Sequence, residues 1–297
     1  MATVTLLDDP ARFLECAGPT LSAHPATATV VATIADRLAR GASARPEPFC
    51  WFAVVDPGRP GEEPGLAMRT HPGPPHPPYL LAMPEESAVA LADALVDRGE
   101  PVAAANGARP AVDAFAARVA ERTGAEVRVR VHMRLFELGT LRPPRRVPGR
   151  LRPVRPEEDG LALDWLRRFH VDADEQGGRG PGDGHAAESV TPADVARKRA
   201  DGTLWFWVDD ADRPVHLTGA NPPAFGVARV GPVYTPSEER GRGWASAAVA
   251  EVSALLRDAG NRVILFTDQA NPVSNGIYVA LGYEAVEDSV ELSIVTP

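Results

Sequence analysis

VGPVYTPSEERGRGWASAAVAEVSALL, residues 230–256, is the stretch of the sequence that decides the fold. Its composition predicts a strand, then a short loop rich in glycine and arginine, then a helix. Gly241 and Gly243 lack the side chains that would keep a ligand away from the backbone N–H groups of the loop. The first turn of the following helix adds unpaired N–H donors and the positive end of the helix dipole. The stretch therefore predicts a binding site for phosphate or pyrophosphate, with Arg240 and Arg242 as positive charge at its rim.

Two well-known phosphate-binding patterns fit this stretch incompletely. The P-loop pattern GxxxxGK[ST] does not occur in it. The dinucleotide pattern GxGxxG matches at Gly241 and Gly243, but Ser246 stands in the third glycine position. Asp268, at the end of the next predicted strand, is placed like the acid that binds a ribose in dinucleotide-binding proteins. A dinucleotide-dependent enzyme therefore stays open as an alternative.

A third pattern, [QR]xxGx[GA], is met by Arg240, Gly243 and Ala245. In this pattern the loop resembles the pyrophosphate loop of the GNAT superfamily of acetyltransferases. Six residues of this kind also occur in ordinary surface turns with an exposed arginine. The interpretation therefore depends on a second motif downstream.

That second motif is NPVSNGIYVALGYEAV, residues 271–286. Asn271 as N-cap and Pro272 as first helical residue predict a short helix that ends at Gly282. Its spacing gives a polar face and an apolar face, and we expect the apolar face to be core. The polar face is Asn271, Ser274 or Asn275, and Tyr278; the apolar face is Val273, Ile277, and Ala280 or Leu281. The whole run resembles the GNAT motif Nxx[SA]xxxYxxxG[FY], which is complete here through Tyr283.

The two motifs together resemble an acetyl-CoA-dependent N-acetyltransferase, with acetyl-CoA as co-substrate. The resemblance implies that the pantetheine arm lies along the strand at residues 233–235, and that an N–H near Val233 polarises the thioester oxygen. It implies that Tyr278 donates a proton to the departing thiolate. The other ligand-binding residues that it implies are Val233, Tyr234, Thr235, Arg240, Gly241, Arg242, Gly243, Trp244, Ala245, Ser246, Asn271 and Ser274.

The general base that takes the proton of the amine is less well defined by the sequence. Asp268 at the end of its strand is the first candidate. His170, Asp172 and Glu175 are others, because the helix that carries them commonly walls the acceptor pocket in the superfamily. Each of these side chains is also typical of a solvated surface charge, and a chain of water molecules is an alternative to all four.

The predicted fold class is α+β, with a mixed, mostly antiparallel twisted sheet flanked by helices. The two halves of the chain share a coarse order of elements, which is weak evidence for an internal duplication. The stretches VARVGPVYTP and LFTDQANPVSN resemble a bacterial GNAT subgroup with a divergent N-terminal half, and this resemblance implies that the first half is a degenerate copy of the fold, in a tandem GNAT-like arrangement. The proline-rich stretch LRPPRRVP predicts a linker at residues 141–148. We therefore expect a degenerate, non-catalytic domain at 1–140 and a catalytic domain at 149–297, because the first half has no counterpart of the Arg240–Gly243 pattern.

Local patterns predict further elements. Asp9-Pro10 and Thr191-Pro192 predict helix starts, Gly124 predicts a helix end, and 242–259 predicts a helix. The stretch 176–184 is rich in glycine, which is typical of a mobile segment. Strands are predicted at 49–55, 127–135, 150–154, 204–208, 215–219, 228–235, 262–267 and 286–294.

Composition excludes several classes of function. The formal net charge is −9, which argues against nucleic-acid binding because phosphate recognition needs a basic surface. No apolar run reaches the roughly 18 residues of a membrane span. Cys16 and Cys50 form no metal-binding or CxxC spacing, and no signal peptide is evident, so we expect a cytoplasmic, metal-free protein. A single lysine among abundant arginine, alanine, proline and glycine indicates a GC-rich, bacterial genome.

The expected function is transfer of an acetyl group to a primary amine of a small molecule, by direct attack in a ternary complex. Modification of an antibiotic or an amino metabolite is a plausible context. Acetylation of a protein or peptide is a variant of the same chemistry. A non-catalytic acyl-CoA-binding or regulatory module is the alternative from another class, and the intact Tyr278 argues against it. The expected oligomeric state is a monomer or a homodimer.

Overall fold

A computed structural model of the chain describes residues 2–41, 50–70, 77–176 and 190–295. Its helices are α1 (Pro10–Ala23), α2 (Thr29–Ala39), α3 (Glu85–Asp97), α4 (Ala111–Thr123), α5 (Asp159–Gln176), α6 (Pro192–Ala200), α7 (Trp244–Asp258) and α8 (Pro272–Leu281). Its strands are β1 (Thr3–Leu7), β2 (Trp51–Asp56), β3 (Gly65–Arg69), β4 (Tyr79–Leu80), β5 (Ala104–Ala108), β6 (Glu126–Leu138), β7 (Arg150–Pro153), β8 (Leu204–Val208), β9 (Pro214–Ala224), β10 (Val227–Tyr234), β11 (Arg262–Asp268) and β12 (Tyr283–Val295).

The chain forms two compact units. Unit 1 is Met1–Arg134 together with Glu287–Pro297, and unit 2 is Leu135–Val286. In unit 1 the strand order is β1-β2-β3-β4-β5-β12-β6, and in unit 2 it is β6-β11-β10-β9-β8-β7. β6 and β12 are long strands whose residues are divided between the units, so each unit has its own sheet segment.

Both units combine antiparallel and parallel pairing. The pairs β1–β2, β2–β3, β7–β8, β8–β9 and β9–β10 are antiparallel. β4 and β5 are parallel with α3 between them, and β10 and β11 are parallel with α7 between them. The order strand, helix, strand, helix, strand therefore recurs as β4-α3-β5-α4-β6 and β10-α7-β11-α8-β12. The predicted α+β class is confirmed, and this repeat is what the predicted duplication requires.

The units divide the chain at other positions than the predicted domains. The predicted linker at 141–148 belongs to unit 2, where Val147 packs against a hydrophobic cluster that includes Trp207 and Trp244. The indole N–H of Trp207 also donates to the carbonyl of Pro148 at 2.9 Å. At the other end, residues 289–293 of β12 pair with β5, which places the end of the chain in unit 1.

Local signals place the helix ends well. α1, α6 and α8 begin at the predicted prolines, and the side chains of Asp9, Thr191 and Asn271 accept the expected N-cap hydrogen bonds. α4 ends at Gly124 as predicted. β1, whose sequence TVTLL is short, is not among the predicted strands. Phe49 of the predicted strand at 49–55, and residues 177–184 of the glycine-rich stretch, lie outside the described residues.

Besides the cluster around Trp207 and Trp244, two larger hydrophobic clusters hold the sheet of unit 2. One joins α5 and α6 to the strands through residues such as Trp165, Val195 and Phe206. The other joins α7, β11 and α8 through residues such as Val249, Leu265 and Tyr278. The predicted apolar face of α7 takes part in it, since Val249 and Val252 are fully buried. α7 and α8 are thereby held against the strands that they follow and precede.

Lys198 ties α6 to the sheet at a point close to the candidate site. Its ammonium donates to the carbonyl of Ala220 at 2.9 Å and to the Asn221 side chain at 3.3 Å. Ala220 pairs with Val230, the last regular residue of β10 before an irregularity in its pairing with β9. Burial, and to a lesser degree the nearby Arg229, lowers the pKa of Lys198 from 10.5 to about 8.

This buried lysine predicts a measurable pH dependence of stability. Because its folded-state pKa is lowered, the unfolded chain binds more protons above about pH 8, and the free energy of unfolding rises with pH there. Between about pH 8 and 9.5, below the titration of tyrosine, the rise due to Lys198 is on the order of 1 kcal/mol. Urea unfolding of the wild type and of Lys198→Met measures it as a difference in slope. Equal slopes in the two proteins would contradict the assignment.

Candidate active site

The parallel pairing of β10 and β11 stops before either strand ends. Val227–Val230 pair with Arg262–Leu265, yet β10 continues to Tyr234 and β11 to Asp268. On its other side β10 pairs with β9 through an irregularity between Val230 and Val233. The β11-facing edge of β10 from residue 231 onward therefore has no ladder partner among the described strand pairings. Such an edge can bind an extended ligand as an added strand would.

A cavity of about 550 Å³ lies at this point of unit 2. Its walls are the end of β10, the loop before α7, the start of α8 and part of α5. The lining residues are Phe169, Asp172, Ala173, Val233, Tyr234, Thr235, Glu239, Arg240, Gly241, Arg242, Gly243, Trp244, Ala245, Ser246, Asn271, Pro272, Val273, Ser274, Ile277 and Tyr278. All the residues that the sequence assigns to ligand binding are brought together here, and so is Tyr278.

The loop before α7 has the backbone geometry of an anion site. Gly241 and Gly243 adopt left-handed conformations with φ of 76° and 88°, which favour glycine. α7 begins at Trp244, and the first hydrogen bond of its ladder runs from the N–H of Ala247 to the carbonyl of Gly243. The N–H groups of the first helical turn, up to Ser246, precede that ladder. They lie on the cavity wall with the positive end of the helix dipole.

The two arginines of this loop are both paired with acids. Arg240 donates to the carboxylate of Asp172 on α5 and, through Nε, to the carbonyl of Thr235 at 3.2 Å. Arg242 Nη1 lies 3.1 Å from a carboxylate oxygen of Glu239. Their charge at the rim, expected from the sequence, is thus partly balanced within the protein. Asp172 also hydrogen-bonds the hydroxyl of Tyr234, and this bond contributes, after burial and the Asp172 charge, to a raised pKa of that tyrosine.

Tyr278 is held almost fully buried at the cavity wall. Its side chain is 7% exposed, and its ring packs edge-on against Tyr283 with centroids 6.0 Å apart. Burial, and secondarily Tyr283, raises the pKa of Tyr278 above its usual value of 10. The phenol is therefore protonated at neutral pH and able to donate. The hydroxyl of Tyr283, by contrast, is engaged with Ser253 Oγ at 2.6 Å.

The start of α8 differs in one respect from the predicted pattern. Asn271 Oδ1 accepts from the N–H of Ser274 at 3.0 Å, which uses this oxygen as the helix cap. Val273, expected in the core face, is 70% exposed because it lies in the first turn, at the cavity mouth. Leu281 and the partly buried Ile277 make the core contact instead.

The candidate bases occupy different places. Asp268 is half-buried at the end of β11, where its side chain accepts from the N–H of Ala270 at 2.8 Å, and it is not among the cavity-lining residues. Asp172 lines the cavity. His170 packs edge-on against Phe169 on α5 at 5.2 Å, and Glu175 is exposed near the end of the same helix.

Two features near the cavity are missed by reading the sequence. Glu239 is buried and pairs with Arg213 at 2.7 Å as well as with Arg242. His216 on β9 is fully buried and hydrogen-bonds Thr235. The alternation of β9 places His216 and Thr218 on one face, which is the signal that a closer reading could have used.

No cluster of three or more metal-ligating side chains and no helix able to cross a membrane occurs in the described parts of the chain.

Comparison with known proteins adds the family context. Residues 225–292, which include the whole of β10 and both motifs, match the model of a family described as FR47-like protein. No curated protein sequence matches the chain.

Solved structures match over almost the full length. A GCN5-related N-acetyltransferase from Sphaerobacter thermophilus matches with a TM-score of 0.60 and 17% identity, over 100% of this chain and 96% of that one. A GNAT-family acetyltransferase from Colwellia psychrerythraea matches with 0.56 and 10%, over 99% of both chains. A tandem GNAT protein from the clavulanic acid biosynthesis pathway matches with 0.55 and 14%, over 100% and 99%. At these identities the likeness concerns the fold, and the predicted tandem GNAT-like fold is confirmed.

The packing of the loop predicts how two glycines differ. A methyl group on Gly243 would lie 3.0 Å from Val147 Cγ1, whereas one on Gly241 would have nothing within 4 Å. Gly241→Ala should cost about 1 kcal/mol through its positive φ alone, and Gly243→Ala should cost more. Chemical unfolding of both variants measures the difference. Val147→Ala removes the clashing atom and should abolish the excess cost at Gly243, and an excess that persists would show that another contact causes it.

Proposed function

We propose that this chain, a GNAT-superfamily protein with the fold in tandem, transfers an acetyl group from acetyl-CoA to a primary amine of a small molecule. The observation that carries the proposal is the unpaired end of β10, which lies beside an anion-binding loop and a buried tyrosine in one cavity. A donor held along β10 and an amine that enters from the far side would meet in a ternary complex. Proximity of this kind is the first requirement of acyl transfer.

The loop and the strand divide the binding of acetyl-CoA between them. We assign the diphosphate to the N–H groups of residues 241–246, where the glycines leave the backbone open. The pantetheine arm would lie along Val233, Tyr234 and Thr235 and pair with their backbone groups. A backbone N–H near Val233 would donate to the thioester oxygen and stabilise the negative charge that develops there. Asn271 and Ser274 border the same arm.

Tyr278 is the proposed acid. The amine nitrogen attacks the thioester carbon, the C–S bond breaks, and the departing thiolate takes the proton of the Tyr278 hydroxyl. The phenol of Tyr278 is protonated at neutral pH, so a proton is available where the thiolate would form, and the phenolate left behind would regain a proton from solvent after the product leaves. The proton that the amine loses has to go to a base or to water.

Two carboxylates compete for the role of base. Asp268 is the residue that the sequence favours, and it is the last residue of β11, three residues beyond the last pairing with β10. Asp172 is the one that borders the cavity, although Arg240 and Tyr234 already engage it. We retain Asp268 as the proposed base. If it acts, Asp268→Asn should lower kcat at saturating acetyl-CoA strongly, and Asp172→Asn should lower it much less.

Unit 1 is proposed to be non-catalytic. Its helix α3 takes the place in the repeat that α7 takes in unit 2, but Pro84 precedes it and Glu85 and Glu86 fill its first turn. Two carboxylates at a helix start disfavour the binding of a diphosphate. α4, the counterpart of α8, contains no tyrosine. In addition, Cys16 is an exposed thiol outside any disulfide bond, which supports a reducing, cytoplasmic location.

The assignment of Tyr278 as the acid predicts how removal of its hydroxyl changes kcat. Tyr278→Phe should lower kcat by about 10²-fold or more with little change in acetyl-CoA affinity, because it removes only the proton donor. Tyr283→Phe is the matched control, since it deletes the hydroxyl of the neighbouring buried tyrosine outside the cavity. It should leave kcat within about twofold. Thiol release from acetyl-CoA across a panel of amines measures both, and an unchanged kcat in Tyr278→Phe would end the assignment.

The class of cofactor has a separate test. Saturating CoA should raise the melting temperature, because a ligand stabilises only the state that it binds, and NAD should not. Stabilisation by NAD instead would favour the dinucleotide reading. Stabilisation by CoA without thiol release from any amine would favour the non-catalytic module, and thiol release with peptides alone would favour a peptide acetyltransferase.

A further inference from the structure

A row of three hydrogen-bonded side chains runs from inside the sheet of unit 2 to the cavity. Thr218 Oγ1 lies 2.7 Å from His216 Nε2, and His216 Nδ1 lies 2.7 Å from Thr235 Oγ1. His216 and Thr218 are both 0% exposed on β9. Thr235 follows β10 and lines the cavity. The row therefore connects a sealed interior to the surface on which the ligand is proposed to lie.

His216 is an uncharged member of this row. Burial lowers its pKa from 6.5 to about 3, so one ring nitrogen carries a hydrogen and the other a lone pair at neutral pH. Each neighbour is a hydroxyl, which can donate or accept. The hydrogen bonds of the row can therefore point in either of two directions. They run from Thr218 through His216 to Thr235, or from Thr235 through His216 to Thr218.

The surroundings of the Thr218 hydroxyl distinguish these two directions. Among the described residues His216 is the hydrogen-bond partner of its hydroxyl, and no second partner is present. If Thr218 accepted from Nε2–H, its own proton would be buried without an acceptor, which carries a large desolvation cost. The hydroxyl of Thr218 therefore donates to Nε2. His216 must then carry its hydrogen on Nδ1 and donate it to Thr235.

We infer that His216 is a positioning residue which, through this tautomer, makes the Thr235 hydroxyl a hydrogen-bond donor into the cavity. With its oxygen accepting from His216, Thr235 has its own proton left to give, and it borders the cavity. It selects a ligand oxygen that accepts: an amide carbonyl of a pantetheine arm or an oxygen of a diphosphate. The identity of this ligand rests on the proposed function, whereas the direction of the row does not.

The direction of the row can be measured without any ligand. Nitrogen-15 NMR of the uniformly labelled wild-type protein distinguishes a protonated ring nitrogen from one with a lone pair. The His216→Gln variant assigns the signal among the seven histidines of the chain. We expect hydrogen on Nδ1 and a lone pair on Nε2. Hydrogen on Nε2 would overturn the inference, and this measurement does not depend on the folding of any Thr235 variant.

The role of Thr235 is measured by binding. Thr235→Val keeps the shape and removes the hydroxyl, so calorimetry should show CoA binding weakened by roughly threefold to tenfold. Thr235→Ser keeps the donor and should bind within about twofold of the wild type. Unchanged affinity in Thr235→Val would overturn the donor assignment. Failure of the wild type to bind CoA would instead refute the proposed function, with the NMR result still deciding the direction of the row.

A third comparison separates the two sources of the acceptor oxygen. Pantetheine carries the amide carbonyls and lacks the diphosphate. If Thr235→Val weakens pantetheine as much as CoA, the acceptor is a carbonyl of the arm. If it weakens CoA alone, the acceptor is a phosphate oxygen. Either result supports a donor at Thr235.

Discussion

The end of the hydrogen-bond ladder between β10 and β11, at Val230 and Leu265, is the constraint on which the rest of unit 2 depends. Backbone N–H and C=O groups inside a protein need partners, and a continuous sheet supplies them from strand to strand. Where the ladder ends early, the backbone N–H and C=O groups of the next residues are left to hydrogen-bond to water or to a ligand. The irregular pairing between Val230 and Val233 on the β9 side, and the lysine that holds Ala220 opposite, keep β10 in place while its free edge stays open.

The charged side chains at the cavity are arranged as ion pairs. Arg240 is held by Asp172 and by the carbonyl of Thr235, and Arg242 by Glu239, which also binds Arg213. A cation on a long side chain loses rotational freedom when it is used in binding, and these contacts remove much of that freedom beforehand. In the proposed site, the attraction for an anion would then come chiefly from the N–H groups at the start of α7, whose position the left-handed glycines set. Hydrogen-bond geometry, and less so net positive charge, would define the anion site.

The sequence predicts those parts of the site whose causes are local. The caps at Asn271 and Thr191 depend on neighbouring residues, and so does the conformation of Gly241 and Gly243. What it does not reveal depends on residues that are distant along the chain. The partners of Arg240 and Arg242, and the burial of His216 against Thr235, arise only when strands and helices pack. Val147 is a case of the same kind: its proline-rich surroundings predict a linker, but an apolar side chain beside two tryptophans becomes part of a core.

The membership of β12 in unit 1 bears on how the chain can be made. β12 lies between β5 and β6 in that sheet, and its Val290, Leu292 and Ile294 fill the core that the first hundred residues begin. During synthesis the residues of unit 1 that precede residue 135 therefore emerge from the ribosome without β12, which lies between β5 and β6, and about half of the chain has to follow before it arrives. The hydrophobic surface of these residues is exposed for that whole interval, when chaperones are most needed. Removal of residues 288–295 would therefore destabilise a part of the chain that is synthesised much earlier and leave the residues of the cavity intact.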